Sequence, residues 1–146
     1  MSARSKIANS LVELLKEIDG TSSWESDLFE NVYNRLKFWD EVDDYPAAFV
    51  NVGPEAREYL PGGFKWGHLT LTVRVYVQDE DPEARLEEIF EDIEKIVDTN
   101  GTMEYDTNSY IEDMKILSIT TDEGLLNPIG VGEMTLQVMY DLDGPC

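Results

Sequence analysis

Apolar residues recur along this chain at two periods, and the switches between them mark out its elements. Ile7, Leu11, Leu14, Leu15 and Ile18 fall at helical spacing, and Asp19-Gly20 follows the last of them, which predicts a first helix over about 5–18. TSSWESDLFE has weaker periodicity, with Trp24, Leu28 and Phe29 as its anchors, and reads as a loop. NVYNRLKFW, from Asn31 to Trp39, then alternates. Val32, Leu36 and Phe38 share one face and Tyr33, Arg35, Lys37 and Trp39 the other, as expected of a strand. AAFVNV, Ala47 to Val52, predicts a short strand ended by Gly53-Pro54. The clearest strand has Leu69, Leu71, Val73, Val75 and Val77 alternating with Thr70, Thr72, Arg74 and Tyr76, and it is expected at the centre of a sheet.

Asp81 is suited to cap, and Pro82 to begin, a second helix over PEARLEEIFEDIEKIVD. Its stripe of Leu86, Ile89, Phe90, Ile93, Ile96 and Val97 must cover the sheet, while most of its acids lie elsewhere around the helix. TMEYDTNSYIED reads as a loop. It leads to a strand over 114–121, where Leu117 and Ile119 alternate with Ser118 and Thr120, and a final strand alternates Met134, Leu136, Val138 and Tyr140. The order predicts a single domain over 1–146 of the α+β class. It is a largely antiparallel sheet of about five strands, with two helices packed on one face and a protruding hairpin arm.

Two connections stand out. In REYLPGGFKWG, a turn at Pro61-Gly62-Gly63 is flanked by Tyr59, Leu60, Phe64 and Trp66. These aromatics can fold back onto the core or be presented to a neighbouring subunit. In ITTDEGLLNPIGVGEMTLQVMY, an Asp122-Glu123-Gly124 corner precedes the Leu125-Leu126 pair and a Pro128/Gly130/Gly132 connection. Leu125, Leu126, Ile129 and Val131 need an apolar surface, so this loop is expected to pack on something.

Composition narrows the function. The 146 residues include 31 acidic and 11 basic side chains, a net charge of −20, yet 42% are hydrophobic, which argues for a folded chain over a disordered acidic tail. Such a charge disfavours binding to nucleic acid and to anionic membranes. Cys146 is the single cysteine, so no intrachain disulfide forms and a reducing compartment is expected. Lys6, Glu13, Lys16 and Glu17 interrupt the first apolar pattern, which is neither a secretory signal nor a membrane span; synthesis is expected in the cytosol.

Catalytic signatures are lacking. DEVDDYP, from Asp40 to Pro46, has neither the ligand ladder nor the turn glycine of a calcium loop and is expected to be a solvated turn. His68 has no second histidine for a zinc set, and GVG at 130–132 lacks the third glycine of a dinucleotide loop and opens onto a strand. The acids of the second helix are read as a solvated face. The chain is therefore expected to be an interaction protein, with no enzyme activity, metal or cofactor.

DEGLLNPIGVGE, taken with DEVDDYPAAFVNVGPEAREYLPGGFKWGHLTLTVRVYV upstream, resembles the tail terminator, or tail completion, proteins of long-tailed bacteriophages. The likeness runs from about Leu36 to Tyr140. It implies a structural virion protein at the top of the tail, assembled in the host cytoplasm. Such a protein caps the tail tube as a homo-hexameric ring, stops tube polymerisation and offers the surface for head-tail joining. The implied partners are further copies of the chain, the tail tube protein and a head-completion or neck protein. DNA would pass through without specific binding, and no membrane is involved. The candidate contacts are Tyr59, Phe64 and Trp66 in the arm, and Glu123, Gly124, Leu125, Leu126, Pro128, Gly130 and Gly132 in the loop. Six copies would carry a charge of about −120, so divalent cations are expected to affect assembly non-specifically. Acidic faces lining the channel would keep DNA from sticking. The alternatives are an acidic DNA mimic that inhibits a host nucleic-acid enzyme, or another neck or tube subunit of the same virion.

Overall fold

The computed structural model describes residues 3–18, 32–33, 45–122 and 128–141. Helix α1 (Ala3–Leu15) buries Ile7, Ala8, Leu11, Val12 and Leu15 on one side. Its end tightens into three-residue turns, with Glu17 N–H donating to Leu14 and Ile18 N–H to Leu15. Ile18 is still fully buried.

The main sheet contains β1 (Val32–Tyr33), β2 (Ala47–Tyr59), β3 (Lys65–Gln78), β6 (Asp113–Thr121) and β7 (Ile129–Asp141), in the order β1-β2-β3-β7-β6. Only β1 pairs in parallel, through Val32 with Ala48 and Tyr33 with Phe49; residues 34–39 of the expected strand lie outside those described. The long strand β3 is central, as its alternation predicts.

Strand β2 corrects one expectation. Gly53-Pro54 does not end it, because the register steps from Val52 opposite Leu71 to Glu55 opposite Leu69, a bulge holding one extra residue, and pairing resumes to Tyr59 opposite Lys65. Proline has no N–H to offer a ladder, and a bulge is a place where none is needed. The arm is thus the continuation of the β2–β3 hairpin.

Odd-numbered residues of β3 and even-numbered residues of β7 are buried on one face of the sheet. They join α1 and α2 (Pro82–Thr99) in one apolar core. Asp81 caps α2 by accepting from Ala84 N–H at 3.3 Å, and at the other end Asn100 Nδ2 donates to the Ile96 carbonyl at 2.8 Å. Glu87, Glu88, Glu91 and Glu94 are solvated. Asp92 departs from the expected pattern: it is fully buried and lies 3.8 Å from Lys95 Nζ.

The stretch expected as a loop after α2 holds a second, small sheet of β4 (Glu104–Asp106) and β5 (Ser109–Tyr110). Asn108, at φ 57°, takes the left-handed corner that asparagine tolerates better than most residues. Lys6 Nζ holds Asp106 Oδ2 at 2.6 Å, and Met103 and Ile111 carry this unit into the core. The Lys6 ammonium keeps the Asp106 carboxyl below its usual range, and the Thr107 N–H adds to the effect.

The Pro128/Gly130/Gly132 connection is corrected as well. Gly130 and Gly132 lie inside β7, opposite Val77 and Val75, and both are buried under α2. A Cβ on Gly130 would lie 2.7 Å from Pro82 and 2.9 Å from Val77, and one on Gly132 would overlap the Phe90 ring. The glycines are there because a helix crosses a strand at closer range than any side chain permits. Replacing Gly132 with alanine is expected to cost about 1–3 kcal/mol by overpacking. Urea unfolding of Gly132→Ala alone and together with Phe90→Leu checks this, with a smaller cost expected in the double variant. Strictly additive costs would show that the Phe90 contact is not what excludes a side chain.

Candidate assembly surfaces

At the tip of the arm, Leu60 N–H donates to the Phe64 carbonyl at 2.8 Å and closes a tight loop. Gly62 and Gly63 complete it at φ 89° and 86°, where a Cβ would be strained. The closure forces apolar side chains outward. Tyr59 is 66% exposed, Phe64 61% and Leu60 39%. Lys65 Nζ lies 5.7 Å from the centre of the Tyr59 ring. Trp66 is only half-buried and is paired with Glu58 on one side and Asp141 on the other. Residues 59–65 lie beyond the last described pair of the β3–β7 ladder, Trp66 with Asp141.

The root of the arm is polar, and the carboxylate at its centre is nearly dry. The Glu55 side chain is 5% exposed; it receives the Arg57 Nε–H at 2.8 Å and the Tyr140 hydroxyl, with Arg4 Nε at 3.8 Å. Arg4 Nη2 also donates to the Gly53 carbonyl at the bulge, at 2.6 Å. One carboxylate therefore ties α1, β2 and β7 together where the arm leaves the sheet. Burial, reinforced by the hydrogen bond to Glu55, pushes the Tyr140 phenol far above its ordinary range. The Tyr105 ring meets Tyr140 edge-on at 6.3 Å.

The candidate contacts predicted from sequence separate in space. Tyr59, Phe64 and Trp66 all lie in the arm, Tyr59 and Trp66 in adjacent pairs of its ladder and so on opposite faces. Pro128 is exposed at the other end of the β3–β7 pair, about 40 Å away at ~3.3 Å per residue, and its carbonyl accepts from Asp79 N–H at 3.0 Å. Glu123, Gly124, Leu125 and Leu126 lie outside the described residues. Gly130 and Gly132 are sealed within the chain, as described above.

A third surface escapes sequence reading. Among the described residues strand β6 is an edge of the sheet, and between Ile116 and Ser118 its register against β7 slips by one residue. Leu117 is the extra residue at this bulge and is 50% exposed; Ile119 is 43% exposed. Alternation alone predicts both as core. No local signal in KILSIT announces the bulge.

Charge is divided between the two sides of the domain. The helix side presents Glu87, Glu88, Glu91, Glu94 and Asp98 to solvent. The open face of the sheet carries Thr70, Thr72, Thr135, Gln137 and Ser118 around an Arg74–Glu133 pair at 2.9 Å. Seven of the nine described basic side chains sit against carboxylates, leaving Lys65 and Lys115 without an ion pair among the described residues. Among the described residues no basic cluster is placed to hold a phosphate backbone. His68 Nε2 lies 3.6 Å from Glu58, with no second histidine in the chain.

Among the described residues, no group of three or more His, Cys, Asp or Glu side chains is placed to hold a metal ion, and no helix is long and apolar enough to cross a membrane. A cleft of about 560 Å³ beside the start of α2 is lined by Tyr45, Pro46, Asp79, Asp81, Arg85 and Glu88, among others. Its Arg85 is already paired with Glu88 at 3.0 Å, and its lining offers no serine, cysteine or histidine among the described residues. The prominent features are surfaces for contact rather than groups for chemistry.

Known proteins agree with this reading. Tail tube terminator protein p142 of Escherichia phage T5 is 34% identical over 152 residues, covering 96% of this chain and 94% of that one. A chain from the virion of a native gene transfer agent particle shares the fold, with a TM-score of 0.51 at 11% identity over 93% of each chain. The family described as Bacteriophage Tail Tube Terminator Protein matches residues 1–144, and the chain belongs to that family.

Proposed function

We propose that six copies of this chain form a ring that caps the tail tube, halts its polymerisation and presents the surface to which the head is joined. Membership of the terminator family makes the chain a structural virion protein of the tail end and not an enzyme. The ring, the head contact and the passage of DNA through it are the proposed part. The observation that supports the ring is the arm: three large apolar side chains held outward on one tight hairpin, in a chain of net charge −20. Exposed aromatics gathered at one point of a highly charged surface are suited to cover by another protein. A closed ring of identical copies needs two different mating surfaces on each copy, and an arm at one corner of the sheet supplies one of them. For the DNA passage, the pairing of most of the described cations with carboxylates disfavours retention of phosphate. The family match favours this over an acidic decoy for a host enzyme.

Two outcomes follow from this reading. Replacing Tyr59 and Phe64 together by alanine is expected to weaken self-assembly by at least ~2 kcal/mol, roughly 30-fold, as for a central aromatic contact. Folding stability should stay within about 0.5 kcal/mol because both side chains are exposed. Sedimentation velocity, negative-stain imaging of capped tubes and urea unfolding measure the three effects, and unchanged assembly and capping would remove the arm from the interface. Self-assembly should also strengthen with sodium chloride or magnesium, which screen the repulsion between acidic copies over about 8–10 Å at 0.1–0.15 M. A sedimentation profile indifferent to both salts would mean that the acidic faces stay apart in the assembly.

A further inference from the structure

We infer that the surface receiving the arm is the β6 edge of the next copy, with Phe64 seated against Leu117 and Ile119 and Lys65 facing the acidic flank of α2. This rests on the ring reading and specifies its missing half. Strand β6 lies at the opposite edge of the main sheet from the β2–β3 arm, with β3 and β7 between them. An arm on one side and a receptor on the other is the arrangement that propagates head-to-tail around a ring.

Three observations select this edge. First, Leu117 and Ile119 are the exposed large apolar residues of β6, and they lie two residues apart. That spacing is about 7 Å, wide enough to seat one aromatic ring. Second, the slip at Leu117 interrupts the regular backbone edge, which disfavours the addition of another strand and leaves side-chain docking as the way to cover these residues. Third, the charges are complementary. Lys65, next to Phe64, is exposed and has no ion pair among the described residues. The flank of α2 beside β6 is marked by Glu83, whose Oε2 lies 3.4 Å from Thr121 Oγ1. Glu87 and Glu94 follow at helical spacing on that same side, and both are exposed. The cation at the tip of the arm, without an ion pair among the described residues, and the apolar pair rimmed by acids thus match in both polarity and charge.

The test uses Phe64→Cys and Leu117→Cys, each combined with Cys146→Ser, in the presence of purified tail tubes and a short bismaleimide cross-linker. A covalent dimer is expected only when the two variants are mixed, and the variant carrying both substitutions should give a ladder of species up to the ring. If rings form and cap tubes but the doubly substituted chain stays monomeric on denaturing gels, the proposed receptor is wrong while the ring reading stands. Cross-linking of Phe64→Cys to itself would overturn the head-to-tail contact. If the unsubstituted chain forms no ring even on tubes, the ring reading fails, and the contact with it. A second measurement probes charge: Lys65→Glu should raise the concentration for half-assembly roughly tenfold, and adding Glu87→Lys should recover most of it. A Leu117→Asp variant that assembles normally but no longer caps tubes would assign the edge to the tube protein instead and overturn the proposal.

Discussion

The seating of α2 on β7 is the contact on which the rest of the architecture depends. Phe90 and Pro82 lie directly over Gly132 and Gly130, so the helix comes closer to the sheet than a strand with side chains would allow. That approach sets α2 across one face and lets Leu86, Ile89, Ile93, Ile96 and Val97 enter a core shared with α1. Burial of apolar surface is the main favourable term in folding, and here the helices supply it from one side. The opposite face is left to threonine, glutamine and serine, with a small separate cluster of Ala47, Phe49 and Tyr76 near β1. A sheet built this way has one committed face, one open face and two edges, and assembly must draw on the open face, the edges and whatever projects from them.

The arm projects in a defined direction because its root is fixed by a nearly dry carboxylate. Glu55 is held by residues from α1, its own strand and β7, and each of these is anchored in the core or the sheet. An isolated carboxylate in that position would be costly, and the arrangement persists because the arginines and the tyrosine hydroxyl meet its charge. The consequence for binding is pre-organisation: a hairpin already held in place loses less freedom when it docks than a flexible loop would. The same bulge that brings Gly53 to Arg4 carries β2 into the arm, so the irregularity in the ladder and the projection share one cause.

Most of the fold was legible in the sequence, and the places where it was not have physical reasons. Strand β3 and helix α2 announce themselves because their periodicity is unbroken and α2 has a proper cap. Strand β2 looks shorter in sequence than it is because Gly-Pro is ordinarily a stop, and only the register against β3 reveals a bulge. Gly130 and Gly132 read as part of the connection before the last strand for a related reason: a glycine that clears the way for a helix looks the same in sequence as a glycine that turns the chain. The small β4–β5 sheet was hidden by its polarity. The arm was readable because Pro-Gly-Gly between aromatic pairs names its own turn. Leu117 and Ile119 were not, since their exposure arises from a one-residue slip that pairing with β7 creates and local sequence does not encode.

The distribution of charge bears on how so acidic a domain can meet copies of itself. A net charge of −20 opposes association wherever like faces approach, and this opposition also penalises wrong partners and wrong registers. Most cations have been spent within the chain: Arg57 on Glu55, Lys6 on Asp106, Arg74 on Glu133 and Arg85 on Glu88. Lys65 is different, because it sits on the projecting tip beside the most exposed aromatics and has only the Tyr59 ring as a described partner. A positive charge placed there can approach the acidic side of another copy before any acidic surface does. Attraction at the tip then draws the arm toward the apolar pair it can cover, while repulsion elsewhere holds the remaining faces apart. In this way a charge that disfavours aggregation in general can favour one contact in particular.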